Sequence, residues 1–165
     1  MSRIIRAGMR TGAIQATRLL GSLLCLSLAS PPRHLYLVAP TLRNTVLISN
    51  DFGQLDALLL GSEGQSLTLG LALSIMSERG TDVRIIHSPD GIPDGLLDLL
   101  PGVHHRAAAV VRSHGLFSEL FSLQGRLVYA DHGVDIAGDE IVASTDPEEV
   151  NRALLEASSA WEELA

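Results

Sequence analysis

The chain has 165 residues, enough for one domain with one sizeable core and too few for two ordinary ones. Apolar residues make up 46% and charged residues 19%, which excludes disorder; aromatics at 4% mean a core built from Leu, Ile, Val and Ala. The net charge of -7 excludes the global basic surplus by which non-specific nucleic-acid binders neutralise phosphates, and leaves only a local basic patch open.

From Thr11 to Leu28, Ile14, Leu19, Leu20, Leu23, Leu24 and Leu28 recur near helical spacing, and Pro31-Pro32 ends the pattern. Arg3, Arg6, Arg10 and Arg18 precede the apolar run Leu19 to Ala29, in the manner of a secretory signal. The long basic region, Arg18 against the run and Pro31-Pro32 after it favour a retained helix instead. The run is also short of the about 20 residues of a membrane span. Residues 1–32 are therefore read as an N-terminal helical segment and 33–165 as the main domain. Cys25, the only cysteine, reads as a small buried hydrophobe, and the absence of any intrachain disulfide points to a reducing, cytoplasmic location without a membrane.

His34 to Val38 (HLYLV) reads as a buried strand and Thr45 to Ile48 as a second short one. Ser49 to Gly64 reads as a loop with a short helix around Leu55 to Leu60. Ser66 is expected to cap an apolar helix over Leu67 to Arg79, ended by Gly80, and Asp82 to His87 (DVRIIH) follows as a strand. HLYLV, this helix and DVRIIH make a right-handed βαβ unit with neighbouring parallel strands. Leu96 to Leu100 is a short helix and Val103 to Val111 a strand. Leu116 to Leu123 and Arg126 to Ala130 suggest a hairpin turned by Gln124-Gly125, and Asp139 to Ala143 a last strand. Asp146, Pro147 and Glu149 open a final helix in capping-box order, with an apolar stripe of Val150, Leu154, Ala157, Trp161 and Leu164. The alternation predicts an α/β single domain, a mixed or parallel sheet flanked by helices.

Most site chemistry is missing. Gly61-Ser62-Glu63-Gly64 precedes a helix, but without GKS/T or GxGxxG it reads as a flexible turn. His104 and His105 are adjacent, so on a strand they face opposite sides and cannot chelate one metal together. Asp94 and Asp98 read as a solvated face. No metal and no cofactor is expected.

The stretch from Arg112 to Val150, RSHGLFSELFSLQGRLVYADHGVDIAGDEIVASTDPEEV, resembles the phospholipase D superfamily. That family carries His-x-Lys-x4-Asp, then Gly-Ser-x-Asn, then a Glu before a strand, a Thr-Asp-Pro-type cap and a helix. Arg112, His114 and Glu119 stand where it places His, Lys and Asp. Gly125-Arg126-Leu127-Val128 stands for Gly-Ser-x-Asn, and Glu140 follows. HLYLVAP and LALSIMSERGTDVRIIHSPD resemble its upstream elements, so the likeness covers roughly residues 33–165. Asp51-Phe52-Gly53-Gln54, Glu78-Arg79-Gly80-Thr81 and His114-Gly115-Leu116-Phe117 are similar to the phospholipase D-like protein of deazaguanine DNA-modification clusters.

The resemblance implies a phosphodiesterase fold whose chemistry is lost. In active members the motif His attacks phosphorus, Lys and Asn hold the phosphoryl oxygens, and a second His protonates the leaving group. Here the nucleophile position is Arg112, which stays protonated, the Asn position is Val128 and the Ser position is Arg126. His114, two residues from the nucleophile position, stands too far along a strand to replace it. Arg112, His114 and Arg126 remain candidates to bind a phosphate. The expectation is a non-catalytic binding or assembly subunit, in a DNA-modification or defence system. An active phosphodiesterase or nuclease with a divergent site and a small ligand-sensing domain stand as alternatives. Single-motif members pair across one cleft, which implies a homodimer, or pairing with an intact paralogue, near the Arg112–Glu119 strand.

Overall fold

The computed structural model describes residues 2–7, 11–59 and 64–164. Met1, Arg10, Leu60 and the Gly61 to Glu63 part of the glycine-punctuated turn lie outside the described residues.

The centre of the fold is the βαβ unit. Strand β2 (His34–Val38) lies parallel to β5 (Asp82–His87), with Leu35 opposite Val83 and Leu37 opposite Ile85. Helix α2 (Leu69–Glu78) crosses between them, as the sequence predicts. Its run of Leu, Ile and Met buries Leu69, Leu73, Ile75 and Met76 on the sheet, and Gly80 ends it at a φ of 97°, backbone that favours glycine. Beyond β5 the sheet continues in parallel with β6 (His104–Ala107). On the other side of β2 everything is antiparallel: β7 (Gly115–Ser118), β8 (Ser122–Gln124), β11 (Glu140–Ser144) and β1 (Ser2–Arg6). The seven-stranded order is β1-β11-β8-β7-β2-β5-β6.

Helix α1 (Gly12–Ala29) packs with α2 on one face of the sheet, and its Leu20, Leu24 and Leu28 join the same aliphatic core as Leu35, Ile85 and Leu116. By length and composition α1 is apolar enough to cross a membrane, yet these residues are buried against the sheet. Helix α4 (Pro147–Glu163) covers the opposite face with Val150, Ala153, Ala157 and Trp161. Asp146 caps it, its Oδ1 accepting from Glu148 N at 2.9 Å. Glu149 does not reach back to the Asp146 amide: it takes the Ser144 hydroxyl, whose oxygen accepts from Asp146 N at 3.1 Å. The capping box thus closes through a serine of β11. Short helix α3 (Asp94–Leu97) leaves Asp94 and Asp98 exposed, as a solvated face should be.

Several expectations are corrected. Strand β1 has no counterpart in the sequence reading. Ile14, placed on the apolar face of α1, is 53% exposed. The cap of α2 is Thr68, whose hydroxyl accepts from Leu71 N at 3.1 Å, because Leu67–Thr68 (β4) is taken up by pairing with β3 (Val46–Ile48). Residues 51–59 form turns, with no helix among the described residues of that loop. The expected hairpin is shifted. β7 turns into β8 at Glu119-Leu120, closed by Ser118 N on Phe121 O at 3.1 Å. β9 (Leu127–Tyr129) instead pairs with β10 (Val134–Ile136) as a separate ribbon over α1. Gly125, with φ 137° and Ile141 packed where a Cβ would stand, is where the chain leaves the sheet.

Candidate functional site

The carboxyl ends of β2, β5 and β6 and the start of β7 lie along one edge of the sheet, the edge at which open α/β sheets receive ligands. The motif-like residues approach this edge from the segment before β7. Ser113 adopts a φ of 57°, so Arg112 and His114 do not continue one extended strand. Arg112 is exposed and turns toward α4, where with Ser113, Arg152, Leu155, Glu156 and Glu163 it lines a groove of about 450 Å³. His114 is not part of that groove. It is half-buried beside Arg126, and its carbonyl accepts from Gly125 N at 3.0 Å. Its Nε2 is buried and has no hydrogen-bond partner among the described residues. Burial first, then the charge of Arg126, holds the His114 pKa below the ordinary imidazole value, so the ring is neutral at neutral pH.

The remaining positions lie elsewhere. Glu119 stands beyond the far end of β7, roughly 16 Å from His114 at about 3.3 Å per strand residue. There its Oε1 meets His34 Nδ1 at 2.6 Å and its Oε2 accepts from His34 N at 3.1 Å. Glu140 opens β11 at the same edge as His114, and Arg6 Nε of the neighbouring strand lies 3.6 Å from its carboxylate. Val128 sits on β9, half-exposed, opposite Asp135. Arg126 is exposed. The structure therefore brings His114 and Arg126 together, sends Arg112 to the α4 side, and leaves Glu119 and Val128 outside.

Two features were not legible beforehand. Arg152 on α4 completes a pair of arginines with Arg112 around the groove, opposed by Glu156 and Glu163. His87, which ends β5, and His105, the second residue of β6, are 18 residues apart and meet across the two strands, with His87 Nε2 3.0 Å from His105 Nδ1. Among the described residues no group of three or more His, Cys, Asp or Glu gathers as a metal cluster would.

No family model matches the chain, and no curated protein matches it. Solved structures do. The chain is similar to TrmBL2, an archaeal chromatin protein described with a novel mode of DNA binding, at 11% identity and a TM-score of 0.54, covering 100% of this chain and 54% of that one. It is similar to NucT from Helicobacter pylori at 11% identity and 0.53, covering 99% and 94%. It is also similar to Nuc from Salmonella typhimurium, a phospholipase D family member, at 9% identity and 0.51, covering 98% and 94%. The chain thus spans about half the length of TrmBL2 and nearly all of the two shorter proteins. At these identities the likeness establishes the fold: a single α/β domain of phospholipase D-like architecture.

Proposed function

We propose that this chain is a catalytically degenerate protein on a phospholipase D-like nuclease fold, acting as a binding or assembly subunit in a DNA-modification or defence system. The observation that carries the reading is the division of the motif positions. Arg112, at the nucleophile position, has no lone pair to attack phosphorus and faces the α4 groove. His114, the imidazole at the Lys position, has its Nε2 buried and out of reach of solvent. Val128, at the donor position, offers no hydrogen bond to a phosphoryl oxygen. The similarity to the phospholipase D-like protein of deazaguanine clusters supports the DNA-modification setting, and pairing with a second copy or an intact paralogue fits the family's two-motif cleft.

Nucleic-acid contact is the second reading, favoured by Arg126 beside neutral His114, whereas Arg112 and Arg152 are offset by Glu156 and Glu163 in their groove. The DNA-binding description of TrmBL2 also favours it. The test is hydrolysis of single- and double-stranded DNA, RNA and a bis-nitrophenyl phosphodiester, with and without divalent metal. No turnover above background is expected. A rate that vanishes in both His114→Ala and Arg112→Ala overturns the proposal. If the inert protein binds DNA, Arg112→Ala with Arg126→Ala flattens the salt dependence by about one unit of slope per lost phosphate contact. Light scattering and pull-down check the assembly role: a strict monomer that recovers no partner contradicts it.

A further inference from the structure

His87 ends β5, His105 is the second residue of β6, and the parallel register sets Ile85 beside His105. The two imidazoles therefore share one face of the sheet, with His87 Nε2 3.0 Å from His105 Nδ1. His87 Nδ1 lies 2.7 Å from the Ser88 carbonyl, and since a carbonyl only accepts, Nδ1 carries the proton. His87 Nε2 is then a bare lone pair aimed at His105. Proteins orient metal-ligating histidines in this way, anchoring one ring N–H on a carbonyl so that the other nitrogen is presented. His105 is exposed, which leaves the pair open to an ion from solvent.

We propose that His87 and His105 form a two-imidazole site for a divalent transition-metal ion, copper(II) or nickel(II), with water in the remaining positions. At metal–nitrogen bonds of about 2.0–2.1 Å, donors 3.0 Å apart subtend roughly 94° at the ion once each ring turns its lone pair from the other nitrogen toward the ion. That is near the right angle of tetragonal copper and nickel sites and short of the tetrahedral angle of zinc. Without an ion, His105 Nδ1–H donates to His87 Nε2. On binding, the His105 proton moves from Nδ1 to Nε2, both nitrogens coordinate, both rings stay neutral and no proton is released.

The test is titration of the untagged protein with copper(II) and nickel(II) by calorimetry, with pulsed electron paramagnetic resonance counting the imidazoles on copper. One ion per chain with two imidazoles is expected. Outer-shell changes alone cost metal sites about 10–100-fold, so loss of a ligand in His105→Ala should weaken binding at least about tenfold and leave one imidazole. His105 is exposed, so this variant keeps the fold. His104→Ala, the exposed neighbour on the other face of β6, should bind as the unaltered chain does. Copper carrying fewer than two imidazoles, or an isotherm unchanged in His105→Ala, overturns the site and leaves the pair a hydrogen bond.

Discussion

The two faces of the seven-stranded sheet are built from the same strands by different chemistry. Under α1 and α2 the alternation of β2, β5, β7 and β8 presents Leu35, Leu37, Val83, Ile85, Leu116 and Leu123, an aliphatic surface that continues into both helices. Under α4 the intervening positions present Tyr36, Val38, Ile86 and Phe117 to Ala153, Ala157 and Trp161 of the helix. Two arginines complete that face: Arg106 stacks 4.1 Å over Trp161 and donates to its carbonyl at 2.8 Å, and Arg84 lies 5.4 Å from the same ring. The first face is held by non-directional burial, and the second by a few oriented contacts. The groove at Arg112 is therefore bounded by α4, which buries fewer side chains on the sheet than α1 or α2 does.

That contrast can be broken. Leu73→Ala, at a fully buried position of α2, should cost about 2–5 kcal/mol, read from the urea midpoint. Arg106→Met keeps the aliphatic stem over Trp161 and removes the charge, and should cost about 0.5–2 kcal/mol. An Arg106 variant as destabilising as the Leu73 variant would mean that α4 is no weaker an attachment than α2.

A pH series sharpens the first face. His87 is depressed below the usual value of 6.5, by burial first and then by His105, and His114 by burial and Arg126. The folded state thus binds fewer protons than the unfolded chain as pH falls below 6.5. Stability should be level above that value and decline as pH drops through the folded pKa values. Urea midpoints between pH 7.5 and 5.5 check this, and His87→Gln should reduce the decline. A flat profile contradicts it. The smallest effect belongs to the exposed His34–Glu119 pair, where Glu119→Gln should change stability by about 0–1 kcal/mol and leave the groove intact. A larger loss would return Glu119 to a structural role beyond its turn.

What was legible in the sequence follows the range of the signal. The β2–α2–β5 unit and α4 are written in local periods, and both elements form where those periods place them, with the α2 cap moved from Ser66 to Thr68 and the α4 capping box closed through Ser144. Strand β1 was not, because Ser-Arg-Ile-Ile-Arg is a short edge strand whose partner, Glu140–Ser144, lies at the other end of the chain. The hairpin slipped because Gln124-Gly125 has turn composition, whereas the turn is made by Ser118, which also accepts Leu120 N on its hydroxyl. At the site, motif spacing grouped Arg112, His114 and Arg126, and the structure keeps only His114 and Arg126 side by side. The spacing could not tell that the positive φ of Ser113 sends Arg112 and His114 to different surroundings. The His87–His105 contact depends on the register between two strands and has no local trace.

The division of the motif positions is most directly tested by trapping. In active phospholipase D-superfamily enzymes the nucleophile forms a covalent phosphohistidine, so the chain is incubated with a phosphodiester, quenched in alkaline denaturant and weighed intact. Arg112 cannot form the bond and His114 Nε2 is buried, so the mass should be unchanged. A phosphoryl adduct mapped to His114 and absent in His114→Ala would contradict the account and establish a working, divergent active site.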